Sequence, residues 1–518
     1  GGGAGYLARR GVGASVSVRL PSEVLDMEAN SGGNVVVCGA FGVALIAPAL
    51  DSVLWNNDTI GTVNRCAIDD NSISAALVQA DKRVYVYDIG GTAQGDWDSG
   101  GGSRNLNDVA VYAPSQTVVM TGYNQAAADL QVAFMQARSY NGDAQWTAYD
   151  FSAGDVQAAN LGADSRGERV AIGGDGALYF SGYVDGGNAI YGRSPQDVSV
   201  ALSADQLIKT DAYNDPYNIS GAKALGWYGR FDAATGILAR GQFLLTRLSD
   251  GKGNSISIKA LTASATGEIY ISGEAYFSIE DRANRQVGGI TVGDYAGGEP
   301  FVLVTSADLT QRLFWTPFAA TGKSAGGSPA YGVGVGGGFA AVGGTLKLTE
   351  GQRTITVTPT QPNVGGGDSD GYLAYWAVDN LVLPDTPILV SPAAGSTVDT
   401  NAPLLVWLGP DADTFKVTVK DLDGVKLLNV TYNAVDVCLG ENCQASPGAD
   451  GWSLNNGDYV WRIKAQNSLG VTKSAKTPFT VNFPGSPELI SPADAAAVTT
   501  TPTLEWSSVA AATEYTIV

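Results

Sequence analysis

Two short stretches pair carboxylates with a glycine turn: Asp368-Ser369-Asp370-Gly371 and Asp421-Leu422-Asp423-Gly424. Calcium takes hard oxygen donors held on tight turns, so Asp368 and Asp370 are the candidate metal ligands and calcium the one cofactor implied. Neither stretch supplies the later Asp or Glu that completes a calcium loop, and Asp-Gly is equally a hairpin turn. A second group of candidates sits in the long connection from Tyr183 to Lys223: Tyr191, Tyr213, Asn214, Asp215 and Tyr217. Tyrosine beside Asn and Asp suits contact with a sugar or a protein partner. The same residues also suit a connection that packs down on itself.

What is missing constrains the chemistry further. The chain has no histidine, which excludes a Ser-His-Asp or Cys-His relay, a His-ligated zinc or copper site and an imidazole base. The glycine runs Gly95–Gly102 and Gly332–Gly338 are not followed by Lys-Ser/Thr or by a helix, so they read as turns and not as phosphate cradles. Carboxylate-only glycoside hydrolysis survives the loss of histidine, yet no acidic pair stands out. No catalytic residue is assigned.

The four cysteines form no metal or redox motif. Cys438 and Cys443 flank Leu-Gly-Glu-Asn, a segment short enough to bring two Cβ atoms together across a tight turn, and a disulfide is expected there. Cys38 and Cys66 lie in strand-like segments that would be neighbours if consecutive segments pair; a second disulfide, or two buried thiols, fits. A net charge of −20 argues against nucleic acid as a partner. The longest strongly apolar run, Gly39–Leu50, is too short for a membrane-spanning helix. The opening Gly1-Gly2-Gly3-Ala4-Gly5 reads as a processed or partial chain.

Short apolar or β-branched segments bounded by Gly, Asn, Asp and Ser recur along the chain, and no window sustains a helical period. The fold class is all-β. One segment repeats: Gly33–Gly39, Asp81–Tyr87, Ser115–Gly122, Gly176–Gly182, Gly267–Gly273 and Gly338–Gly343. Later copies are followed by a second, aromatic-bearing segment: Leu130–Ala137, Gly226–Asp232, Glu299–Thr305 and Gly371–Val378. This alternation resembles the bacterial β-propeller repeat family (SBBP-like), whose units carry a Gly-Asn-x-Tyr-Val-x-Gly strand and an Ala-Phe-Val-x-Lys strand. The resemblance implies a six- or seven-bladed β-propeller over residues 1–383. The near-identical Gly5-Tyr-Leu-Ala8 and Gly371-Tyr-Leu-Ala374 suggest that the two ends close the ring in one blade or in neighbouring blades.

After Leu383 the proline-bearing linker Pro384-Asp-Thr-Pro387 changes the texture. Pro387-Ile-Leu-Val-Ser-Pro392 with Trp407 recurs as Pro487-Glu-Leu-Ile-Ser-Pro492 with Trp506. Residues 384–485 resemble a fibronectin type III or immunoglobulin-like β-sandwich of bacterial surface proteins, carried by Trp407 and by Gly457, Tyr459, Trp461, Ala465 and Asn467. Residues 486–518 open a second, truncated copy. These resemblances imply an extracellular, cell-surface, structural or adhesive protein that acts by assembling with other subunits. The alternatives are a secreted protein that binds surface glycans, with Tyr213, Tyr217 or Trp97 as an exposed platform, and a His-free glycoside hydrolase.

Overall fold

A computed structural model describes residues 5–517, apart from 11–14, 100, 102, 188–189, 222–223, 288–289, 296, 318–319, 322–327, 348–352, 355–368, 379–383, 385, 410–411, 440–441, 468–469 and 511. Strands are the dominant element of the described chain, which has only short helical turns, and no helix in it is long and apolar enough to cross a membrane. It divides into two compact units, Gly1–Asp379 and Asn380–Val518.

The first unit is a propeller-like series of antiparallel meanders. Meander 1 comprises Val24–Ala29, Val35–Gly39, Gly42–Ile46 and Val53–Asn57; meander 2 comprises Arg65–Ile68, Ser74–Val78, Arg83–Tyr87 and Ala93–Asp98. Meander 3 runs through Arg104–Tyr112, Thr117–Ala127, Leu130–Ser139 and Ala144–Ala148. Meander 4 uses Ser165–Ile172, Leu178–Asp185, Ala224–Phe231 and Leu238–Leu244; meander 5 uses Ile256–Ala263, Ile269–Ala275, Glu299–Thr305 and Arg312–Pro317. Meander 6 has three described strands, Ala330–Gly336, Phe339–Leu346 and Asp370–Ala377. Ahead of them lies the hairpin Gly5–Arg10 with Ser15–Leu20, whose Val18 and Leu20 pack on Val37, Ala44 and Ile46 of meander 1. Gly5–Ala8 and Gly371–Ala374 thus belong to different sheets.

The first strand of each meander packs against the first strand of the next, from Val24–Ala29 through to Ala330–Gly336. Five of the six repeat segments are second strands; Asp81–Tyr87 instead falls on the third strand of meander 2. All four aromatic-bearing segments are third strands. The second strands of meanders 4 and 5 are buried on both faces, which is why Ile269–Ala275 and Leu178–Asp185 read as nearly continuous apolar runs rather than as alternation. Between meanders 3 and 4 the core is aromatic: Tyr191 stacks on Trp227 at 4.9 Å between centroids, with Tyr149, Phe180 and Phe231 set edge-on around them.

At the rim, tryptophans on fourth strands hold the meanders together. Trp55, Trp97 and Trp146 each lie against a third-to-fourth-strand turn one meander on, at Gly91, Gly142 and Gly236. Those glycines have positive φ, and any Cβ there would enter the indole. Trp97 and Trp146 also donate their indole N–H to Tyr140 O at 3.2 Å and Ala233 O at 3.3 Å.

In the second unit two sheets enclose one core. The smaller is ordered Ile388–Ser391, Leu405–Leu408, Asn442–Ala445, Cys438–Leu439. The larger is ordered Ser396–Val398, Thr477–Val481, Gly457–Asn467, Thr414–Asp421, Lys426–Asn433, with Gly470–Lys473 paired to the far end of Gly457–Asn467. Trp407, Phe415, Val417, Trp461, Ile463 and Phe479 meet between them. Trp461 donates to Pro392 O at 3.0 Å, tying the start of the unit to its central strand. Cys438 and Cys443 are bridged across a two-stranded turn, with Cα atoms 3.9 Å apart.

Candidate functional site: the hub and one cavity

The first strands carry a recurrent irregularity. A bulge separates Val24 from Asp26, Leu106 from Asp108, Gly167 from Arg169, Ile258 from Ala260 and Ala330 from Gly332. In each case the residue before the bulge faces a glycine near the end of the second strand: Gly39, Gly122, Gly182, Gly273 and Gly344. A Cβ at these glycines would overlap a first-strand carbonyl oxygen, from Glu23, Asn105, Arg166, Ser257 and Pro329 in turn. The recurring glycine is therefore the mark of the bulge, and a bulge re-aims the side chains beside it. Gly273→Ala is expected to lower stability by about 1–3 kcal/mol, as overpacking against fixed backbone does; a thermal melt within a degree of wild type would refute this.

The bulges of meanders 1, 3 and 4 aim charged side chains, and Arg65 of meander 2 stands in line with them. Asp26, Arg65, Asp108 and Arg169 stand at matching places in meanders 1 to 4, acidic and basic in alternation. Each reaches across to the next meander. Asp26 accepts from Cys66 N at 3.1 Å, and Asp108 accepts from Val170 N at 3.0 Å. Arg65 donates to Asn107 O at 3.2 Å and Arg169 to Lys259 O at 2.5 Å. Asp26 is also influenced by Asp108 and Arg169, two and three meanders on. Strands in a flat row would hold those groups too far apart, so the first strands converge on a common hub.

The hub is poorly solvated, and its carboxyls hold protons accordingly. Burial, followed by the neighbouring Asp108, pushes Asp26 up to about 6. Glu28, one turn of the pleat further along and accepting from Ile68 N at 3.1 Å, is pushed by burial to about 8. Burial also raises Asp108, against the pull of Arg169 and Arg65. Beside the hub, Cys38 and Cys66 form a disulfide joining meanders 1 and 2, with Cα atoms 6.2 Å apart. Asp26 with these cysteines is the one potential metal-ligand cluster among the described residues, and the disulfide leaves no thiolate for an ion.

Next to the hub, between meanders 4 and 5, lies a cavity of about 360 Å³. Glu168, Tyr183, Tyr276, Asn254 and Ser257 supply its polar and aromatic wall, and Ile256 and Ile258 its apolar one. Glu168 is the bulged residue of meander 4; burial raises its pKa, opposed by Arg169, Lys259 and Arg166. Burial brings Tyr183 to about 12, and Tyr276, bonded to Glu274 at 2.9 Å, also to about 12. Both phenols therefore stay protonated at neutral pH, and Tyr276 donates its proton to Glu274. Among the described residues one carboxylate, Glu168, lines the cavity, whereas glycoside hydrolysis uses a pair of acids.

The sequence candidates sit elsewhere. Tyr191 is fully buried, stacked on Trp227 and donating to Arg166 O at 2.8 Å. Asn214 is buried and donates to Gln242 and Phe243 O at 2.7 and 2.8 Å. Tyr213 leans edge-on against Trp315. Asp215 accepts from Tyr217 N, and its carbonyl accepts from Arg247 at 2.9 Å. Tyr217 alone of the five is broadly exposed, at 75%. The connection that carries them runs down the outer strand of meander 4, pairing Leu207 with Gly241, and so covers an edge that would otherwise be open. Trp97 is buried at the rim and offers no platform. Asp370 opens the third strand of meander 6, paired with Leu346, whereas Asp368 lies outside the described residues. Asp421 accepts from Val425 N at 2.8 Å, the bond of a hairpin turn with Gly424 at φ +88°.

No protein-family model and no curated protein matches the chain. Among solved structures it is similar to a chain of the mitotic checkpoint complex, at 12% identity over 65% of this chain and 81% of that one, with a TM-score of 0.37. The RRP9 WD40 repeats give 8% identity over 65% and 89%, TM-score 0.33. Virginiamycin B lyase from Staphylococcus aureus gives 11% over 64% and 81%, TM-score 0.31. Scores this low carry no inference about activity, and the hub and cavity stand on their own geometry.

Proposed function

We propose that this chain is an extracellular, surface-associated structural or adhesive protein that acts by binding and assembly and not by catalysis. Residues 1–383 are read as a β-propeller in which meanders 1 to 6 are six blades and the Gly5–Leu20 hairpin contributes to a seventh. Residues 384–485 are read as an immunoglobulin or fibronectin type III-like module, and 486–518 as the start of another. The observation that carries the location is that all four cysteines are in disulfides, as in oxidising compartments. The non-catalytic reading draws on the hub, where the carboxylates of Asp26, Glu28 and Asp108 each accept from a backbone amide of the next meander and so serve to join sheets. Negative-stain electron microscopy of native material tests it: filaments, sheets or sheaths are expected, and dispersed particles in cell-free supernatant would count against assembly.

The cavity between meanders 4 and 5 favours a second reading, a glycan-binding protein. Protonated tyrosines, an amide, hydroxyls and one carboxylate around a small apolar floor suit a neutral sugar ring. On that reading Tyr276→Ala abolishes binding on a glycan panel without lowering the melting temperature by more than a few degrees. No glycan retained by the wild-type chain would remove it.

A further inference from the structure

The outer face of the larger sheet in the second unit is basic. Phe415, Val417 and Val419 point into the core, so by alternation Lys416 and Lys420 point out, with Thr418 covered between them. Residues directly opposite in an antiparallel pair share a face. Lys416 pairs with Lys464, and Lys464 with Lys473; Arg462 lies opposite Thr418, and Lys426 opposite Lys420. Six cations thus occupy one sheet face, three of them in a row across adjacent strands. Like charges directly opposite are destabilising, and among the described residues none of the six is in a salt bridge. The repulsion registers on Lys464, whose pKa is lowered first by Lys473, and further by Arg462, Lys416 and Lys426. Folding gains nothing from this arrangement.

The chain as a whole is strongly acidic, and its net negative charge is concentrated where basic residues are few. Residues 21–150, meanders 1 to 3, hold 15 acidic and 5 basic side chains. Three of those five, Arg65, Arg83 and Arg104, are already paired with Asp108, Asp96 and Asp150. Asp51, Asp70 and Asp143 are exposed on first-to-second and third-to-fourth strand turns, which share one end of the meanders, whereas the exposed Asp58, Asp81 and Asp129 lie at the other end. One chain therefore carries both halves of a complementary pair: a cationic sheet face and an anionic set of meanders.

We propose that the Lys416–Lys464–Lys473 face of one copy docks on the end of meanders 1 to 3 that carries Asp51, Asp70 and Asp143 in a second copy. This rests on the assembly reading above and specifies its contact. Two different patches make the contact heterologous, so it propagates into a ring or an open filament and does not stop at a symmetric pair. Opposed charge sets partner, register and association rate, and makes the contact salt-sensitive.

Sedimentation velocity of the full chain over a dilution series, at low and at high salt, tests the inference. Wild type is expected to form concentration-dependent oligomers at low salt whose dissociation constant weakens by about tenfold or more at high salt. Lys416→Gln/Lys464→Glu is expected to be monomeric at low salt, with Lys464→Gln intermediate, and both with undiminished melting temperatures because the Lys416–Lys464 and Lys464–Lys473 repulsions have been removed. Oligomers that persist in a folded double variant would overturn this contact while leaving assembly intact. A wild-type chain that is monomeric under all conditions would overturn both. Dextran sulfate serves as the polyanion probe: a monomeric wild type that binds it, with binding lost in Lys464→Gln, would assign the face to an anionic polymer and overturn self-docking.

Discussion

Glu28→Gln raises the melting temperature at pH 8 and leaves it unchanged near pH 4. The glutamate has an ordinary pKa of 4.5 when the chain is unfolded and about 8 in the folded hub, where burial opposes its charge. Below pH 4.5 both states are protonated and the group contributes nothing to the difference. Between 4.5 and 8 the folded state binds a proton that the unfolded state has released, so stability falls as pH rises. Above pH 8 the penalty is complete. One pKa unit is about 1.4 kcal/mol; with partial access to water in the hub, the gain at pH 8 is on the order of 3 kcal/mol. Glutamine keeps the acceptor for Ile68 N. Chemical denaturation at pH 4, 6 and 8 measures the effect, and parallel wild-type and variant profiles would show that Glu28 is ionised at no cost. Asp26→Asn is expected to act in the same direction and less strongly, its folded value being about 6.

The opposite outcome is expected at the Arg282–Glu299 pair. Both side chains are almost wholly buried. Arg282 donates to Glu299 Oε1 at 2.7 Å, to Glu299 Oε2 and to Gly293 O, which pins the connection between the second and third strands of meander 5. Glu299 is raised by burial more than Arg282 lowers it. Arg282→Ala strands that carboxylate in the interior and is expected to cost about 3–5 kcal/mol, whereas Arg282→Met/Glu299→Leu removes both charges and costs far less. Equilibrium unfolding gives the numbers, and limited proteolysis after Tyr276 reports local release. A loss below about 1 kcal/mol in the single variant would mean that water reaches the pair.

These two expectations rest on residues that the sequence did not single out. The repeat itself was legible: Gly39, Gly122, Gly182 and Gly273 all close their segments, and four of the five second-strand copies show them. Their purpose was not, because a glycine demanded by a carbonyl on another strand leaves no sign in its own neighbourhood. Meander 2 escaped the pattern for the same reason, since Asn64 and Arg65 both face Leu77 and no glycine marks the place. Asp26, Asp108 and Arg169 precede those glycines at a nearly constant distance, and aligning the segments ahead of the repeat would have exposed the hub. Tyr191 and Asn214 drew attention as polar residues in a long connection, but the connection covers an edge strand, and its tyrosine and amide became fastenings. Cys438 and Cys443 were readable because a five-residue separation fixes their distance locally. Cys38 and Cys66 needed the order of the sheets.

That second disulfide gives the first unit a direction. It welds meander 1 to meander 2 through the second strand of one and the first strand of the next, beside a hub already bonded through Asp26 and Arg65. Every later boundary between meanders is held by side chains and hydrogen bonds alone. If the unit is strained, its seams are not equal: the weld keeps the amino-terminal pair together after the others have parted, so failure begins on the carboxyl-terminal side and travels backwards until the weld stops it.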